Sequence, residues 1–109
     1  MSTISTHVLD TSLGKPASGI RVTLRRDDSL IGSGTTDDDG RVRDLLAKDS
    51  TLNEGDYTLS FSVSEYFAKT KRASFYNDIQ ISFRIGAGSE HYHVPLLLSP
   101  FGYSTYRGS

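Results

Sequence analysis

Tyr57-Thr58-Leu59-Ser60-Phe61-Ser62-Val63 places an apolar side chain at every second position. Successive side chains of an extended chain point to opposite faces, so this run reads as a strand with one face in a core and one in solvent. The same period recurs on both sides of it. Ile20, Val22 and Leu24 alternate with Arg21, Thr23 and Arg25, and Ile79, Ile81, Phe83 and Ile85 alternate with Gln80, Ser82 and Arg84. Residues 91–98 split by parity into Tyr92, Val94, Leu96 and Leu98 on one face and His91, His93, Pro95 and Leu97 on the other. In the first strand, Ile4, Thr6 and Val8 share one face and Ser5, His7 and Leu9 the other. With the first set of each strand facing the core, all three histidines lie on outward faces, His91 and His93 being same-face neighbours ~7 Å apart.

Turn signals separate these runs at 14–19, 37–40, 53–55 and 86–88, where Gly supplies positive φ and Asp or Asn bonds its own backbone. One stretch reads as helical: Ser64 as N-cap, then Glu65-Tyr-Phe-Ala-Lys-Thr-Lys71, with the acid early and the lysines late as the helix dipole favours. Seven or eight short strands and one short helix predict an all-β, two-sheet antiparallel sandwich. At 109 residues the expectation is a single domain, 1–109, too short for a cleft between two domains.

Composition narrows the function. A net charge of −1 lacks the basic footprint of a nucleic-acid binder. The absence of cysteine removes disulfide scaffolds, cysteine-containing zinc sites and thiol nucleophiles together. No basic-then-apolar leader opens the chain and no apolar run approaches the ~20 residues that span a bilayer, so a cytoplasmic protein without a membrane partner is expected.

The chemistry-bearing residues fall in three places. Imidazoles titrate near neutrality, so two of them converging on a water form a hydrolytic acid/base pair. His-x-His with a third histidine elsewhere is also a zinc pattern, weakened here because no orienting acid shares the face. Asp39-Gly40-Arg41, with Arg43 on the same parity, offers guanidinium forks suited to a planar ring with several carbonyls or to a developing oxyanion. Finally, Tyr103-Ser-Thr-Tyr106-Arg107-Gly-Ser109 follows a Pro-Phe-Gly turn as a last strand returning along its neighbour would.

With these residues in view, the chain resembles from end to end the 5-hydroxyisourate hydrolases, the transthyretin-related enzymes of purine breakdown. Three blocks carry the resemblance: Ser5-Thr-His7-Val-Leu-Asp10 with Gly14-Lys-Pro-Ala, Thr36-Asp-Asp-Asp-Gly-Arg41, and His91-Tyr-His-Val-Pro through Tyr106-Arg-Gly-Ser109. The terminal Tyr-Arg-Gly-Ser separates these hydrolases from the hormone-binding transthyretins of the same fold. The resemblance implies a transthyretin-like sandwich and metal-independent, cofactor-free opening of the six-membered ring of 5-hydroxyisourate to 2-oxo-4-hydroxy-4-carboxy-5-ureidoimidazoline. It implies catalytic roles for His7, Arg41, His93 and Ser109, with Tyr106 joining them around the substrate or packing the tail. It also implies a homotetramer, a dimer of dimers, with sites where dimers meet. Which histidine is the base stays open at this stage, and His91 ranks below His93 only through the family pattern. Phe75-Tyr76-Asn77-Asp78 departs from the Phe-Phe-Pro of many members. The fold alone would equally suit a non-catalytic module holding a small aromatic ligand, or a structural sandwich domain.

Overall fold

The computed structural model describes residues 2–108. Its strands are β1 (Thr3–Asp10), β2 (Lys15–Pro16), β3 (Arg21–Arg26), β4 (Ser29–Thr35), β5 (Arg41–Val42), β6 (Gly55–Phe61), β7 (Ile79–Ile85), β8 (His91–Ser99) and β9 (Gly102–Thr105), with one helix, α1 (Val63–Lys69). One sheet runs β4-β3-β6-β7; the other runs β2-β1-β8-β9, with β5 also paired to β1. The period-two runs behave as expected. Val22, Leu24, Leu59, Phe61, Ile79 and Ile85 of the first sheet meet Ile4, Val8, Leu96 and Leu98 of the second in a solvent-free core. Ile81 and Phe83, on the edge strand β7, are only partly buried and border a hollow beside Tyr92 and Val94.

Among the described residues every strand pairing is antiparallel except one. β1 and β8 run parallel, with Thr3 opposite His91, Ser5 opposite His93 and His7 opposite Pro95. Same-face residues of the two strands therefore form a single outward patch: Thr3, Ser5 and His7 from one, His91, His93 and Pro95 from the other.

The helix differs from its sequence reading. It begins at Val63 with Ser62 as a cap that makes no side-chain bond, and it ends at Lys69; Lys71, expected to be helical, has φ +58°. Val63, Tyr66 and Phe67 are its buried residues, a helical i, i+3, i+4 stripe. Val63 satisfies both the strand period that precedes it and the helix period that follows, which is why the boundary is displaced by alternation alone. Tyr66 donates to Asp10 Oδ2 at 2.7 Å, and the Arg72 guanidinium reaches the same oxygen at 2.6 Å. Burial alone would raise the Asp10 carboxyl, but bonds from Arg72, Tyr66, Ser12 and the Leu13 N–H together hold it well below the usual carboxylate range. This network ties α1 to the end of β1.

No described helix is long and apolar enough to cross a membrane.

Candidate active site

The outward patch of β1 and β8 floors a cleft of about 280 Å³ lined by Ser5, Thr6, Arg41, Arg43, His91 and His93. Arg41 reaches it through the Asp37–Gly40 turn. The Asp37 carboxylate accepts from the N–H groups of Asp39 (2.9 Å) and Arg41 (3.0 Å), and the bond from the Arg41 N–H is the main reason its pKa is lowered. Gly40 has φ +75° and lies so close to β1 that a Cβ would meet the Val8 carbonyl oxygen at 2.3 Å. Only glycine fits both demands. The Gly40 carbonyl accepts from the Val8 N–H at 2.7 Å, and the next residue, Arg41, pairs directly with His7.

Ser5 stands between the two histidines of β8. Its Oγ is 2.9 Å from His91 Nε2 and 2.8 Å from His93 Nδ1, while Thr3 Oγ1 is 2.5 Å from His91 Nδ1. The result is a chain of hydrogen bonds, Thr3 to His91 to Ser5 to His93, that leads from an exposed edge into the cleft. His93 Nε2 has no hydrogen-bond partner among the described residues. Burial is the first cause that lowers the His93 pKa, followed by the positive charge of Arg41 and then by His7 and His91; a backbone contact with Ser5 works the other way. The neutral imidazole is the favoured form in this setting.

The tail arrives at the same histidine. β9 pairs antiparallel with β8 from Ser99↔Gly102 to Leu96↔Thr105, and the pairing resumes in the same register at His93↔Gly108. Pro95 interrupts it, having no N–H to donate, and its carbonyl is taken by Thr105 Oγ1 at 2.7 Å. Gly108 then donates to the His93 carbonyl at 2.7 Å and lies flat on the ring: a Cβ there would be 2.7 Å from His93 Cδ2. Arg107 holds the tail from outside, 3.3 Å from Glu90 Oε1 and over the Tyr92 ring at 4.6 Å.

Of the residues singled out in the sequence, the structure thus brings Arg41 and His93 into one cleft. His7 is on the same face beside Arg41 but does not line it. Tyr106 is elsewhere: it borders an apolar hollow with Ile81, Phe83, Tyr92 and Val94, so within one chain it packs the tail. Ser109 lies outside the described residues. Arg43, noted in the sequence only for sharing the parity of Arg41, joins it in the cleft; Ser5 and Gly108 enter as site residues that the sequence reading did not assign, and Ser5 becomes visible only once β1 and β8 are known to be parallel and in this register. Among the described residues no group of three His, Asp or Glu side chains is placed to hold a metal ion. The divergent connection at 75–78 packs on the turn before β9: the Phe75 N–H donates to the Pro100 carbonyl at 2.9 Å, and the Tyr76 ring sits edge-on to Tyr103 at 5.3 Å.

A transthyretin-like β-sandwich with a histidine and arginine cleft on the outer face of one sheet is the class that fold and site define. The chain belongs to the HIUase/Transthyretin family, which residues 4–108 match. A 5-hydroxyisourate hydrolase of Salmonella typhimurium is 44% identical over 110 residues, covering 97% of this chain and 80% of that protein. Among solved structures, the 5-hydroxyisourate hydrolase of Klebsiella pneumoniae superposes with a TM-score of 0.91 at 40% identity, over the whole of both chains. Sea bream transthyretin, solved with thyroxine, superposes with a TM-score of 0.87 at 26% identity, over 97% of this chain and 94% of that one. The sandwich expected from the alternating runs is therefore the one these proteins share.

Proposed function

We propose that this protein hydrolyses 5-hydroxyisourate, opening its six-membered ring to 2-oxo-4-hydroxy-4-carboxy-5-ureidoimidazoline in the degradation of urate. The observation that carries this reading is the meeting of a partly buried His93, whose surroundings lower its pKa, with Arg41 and Arg43 in one small cleft. His93 Nε2 acts as the base that takes a proton from the attacking water, since it is the ring nitrogen left free when Nδ1 bonds Ser5. Arg41 steadies the oxyanion that forms at the carbonyl, and its planar fork suits the ring oxygens. His7, paired beside Arg41, orients the substrate at the rim, and Ser109 takes the catalytic part that the family resemblance gives it.

The fold alone does not separate a hydrolase from a carrier, because sea bream transthyretin has nearly the same backbone. The chemistry of the cleft favours the hydrolase. The outward position of the cleft and the exposed apolar side chains Phe101, Tyr103 and Tyr106 around the tail support a homotetramer, a dimer of dimers. The test is to follow the ultraviolet absorbance of freshly generated 5-hydroxyisourate with wild-type protein and with His93→Ala and Arg41→Ala. The wild type should accelerate its decay, and each variant should lose ~10²-fold or more in kcat while keeping its fold. Decay at the uncatalysed rate with wild-type protein, or variants as active as wild type, would reject the assignment. Light scattering of the active protein tests the tetramer.

A further inference from the structure

We infer that Ser5 and His91 are positioning residues that act through His93, forming a proton relay that fixes its tautomer and carries charge from the cleft to solvent. The inference rests on the hydrolase reading and extends it: there Ser5 serves only to show which ring nitrogen of His93 is free, and His91 has no part.

The hydrogen count makes the argument. Ser5 Oγ lies within bonding distance of one nitrogen on each ring, and each bond needs one proton. A hydroxyl has one proton to give and can accept others, so the facing nitrogens cannot both be bare. In the base arrangement His93 Nδ1–H donates to Ser5, the Ser5 hydroxyl donates to His91 Nε2, and His91 Nδ1–H donates to Thr3 Oγ1; His93 Nε2 then presents its lone pair to the cleft. In the acid arrangement every one of these protons has moved one place, and His93 Nε2 carries a proton. The three bonds convert one arrangement into the other without moving a heavy atom.

Hydrolysis of a ring amide needs both. As water's oxygen bonds to the carbonyl carbon, His93 Nε2 takes one of its protons. His93 Nδ1 passes its own to Ser5, Ser5 passes one to His91 Nε2, and His91 Nδ1 releases one past Thr3 to solvent. When the ring C–N bond breaks, Nε2 gives its proton to the departing nitrogen and the relay runs backwards, taking one proton from solvent. The remaining proton is lost as the new carboxyl ionises, so the sum is amide plus water to carboxylate, N–H and one proton. His93 never has to rest as a cation beside Arg41 and Arg43, where burial and like charge disfavour it. The placement of the chain agrees with this: Ser5 is buried and His93 half-buried, whereas His91 and Thr3 are exposed at its outer end.

The experiment combines kinetics with histidine ring-nitrogen NMR on Ser5→Ala and His91→Ala. Each variant should lose about 10- to 100-fold in kcat with KM within about twofold, part of the 10²–10⁴-fold that positioned proton transfer supplies. Each should also change the Nδ1 and Nε2 shifts of His93, which report its tautomer, and the pH at which they titrate. A residue that merely packs would leave those shifts where they were. Unchanged His93 shifts in either variant, or kcat within twofold of wild type in either, would overturn the relay. The two readings fail separately: if wild-type protein does not turn over 5-hydroxyisourate the proposed function falls, and the ring-nitrogen spectra still decide whether Ser5 and His91 govern His93.

Discussion

Gly108→Ala is the most demanding test of the site, because one methyl group is set against one ring. The new Cβ would lie 2.7 Å from His93 Cδ2, 3.3 Å from Pro95 Cγ and 3.4 Å from His93 Cγ. Ordinary carbon contacts begin at about 3.5 Å, so something must yield by roughly 0.8 Å. Pro95 is buried and its ring is stiff, which leaves the imidazole or the tail. If the imidazole moves, its 2.8 Å bond to Ser5 is stretched or bent and Nε2 is misaimed; displacements near 1 Å at a reacting group cost about 10²-fold in rate. If the tail moves, the 2.7 Å bond from Gly108 to the His93 carbonyl is lost, worth about 1 kcal/mol, and the tail loses its hold on β8 beside His93. The backbone φ at Gly108 is outside the left-handed range, so the clash is the whole penalty, and stiffening of the unfolded chain offsets about 0.4–1 kcal/mol of it. The expected result is a fall in kcat of roughly 10²-fold with a melting temperature within a few degrees of wild type. The assay is initial-rate turnover of fresh 5-hydroxyisourate beside a thermal melt of the same preparation. Full activity in Gly108→Ala would refute the claim that the tail and His93 are held in mutual contact.

Three further outcomes follow from the same geometry. Arg41→Gln should raise the His93 pKa towards the ordinary imidazole value by removing the largest of the charges that lower it, while burial, His7 and His91 remain; NMR titration of His93 checks this, and a downward shift contradicts it. Asp10→Asn should cost about 1.5–3 kcal/mol, since it removes the buried carboxylate that Arg72, Tyr66 and Ser12 bond while Arg72 itself can still reach solvent, and should flatten the acid side of the stability curve. In the wild type the depressed Asp10 carboxyl contributes stability that is fully present above the unfolded value near 3.9 and is lost as pH falls through its folded value; urea melts from pH 7 to 2 measure both. Exhaustive chelation should leave turnover unchanged, because the facing nitrogens of His91 and His93 are already engaged by Ser5, and zinc-dependent loss and recovery of activity would contradict that.

The strands that carry the core were legible because half-buried strands write their burial as alternation: Val22 and Leu24, Leu59 and Phe61, Leu96 and Leu98 need no tertiary knowledge. β4 was not, since Ser29-Leu-Ile-Gly-Ser-Gly-Thr35 has glycines where that pattern needs apolar side chains. The outward histidines followed from parity, and Arg41 and His93 from the family pattern. Ser5 could not be read locally. Its role comes from the register of a parallel pairing between segments more than 80 residues apart, and a hydroxyl on an outward strand face carries no signal of its own. Gly108 is similar: a glycine near a chain end looks unremarkable until the ring it covers is known. Tyr106 shows the converse, since its motif is informative about family while its side chain packs away from the cleft.

The parallel β1–β8 pairing also has a bearing on how the molecule acquires activity. Ser5 meets its two histidines across 86 and 88 residues of chain. Closing a loop of that length costs about 4 kcal/mol of chain entropy before any contact is gained. The β3–β4 and β6–β7 pairings span much shorter distances and can form without it. In a refolding time course, far-UV strand signal should therefore recover ahead of turnover, and a partly folded chain holding only the β4-β3-β6-β7 sheet should have no activity at all.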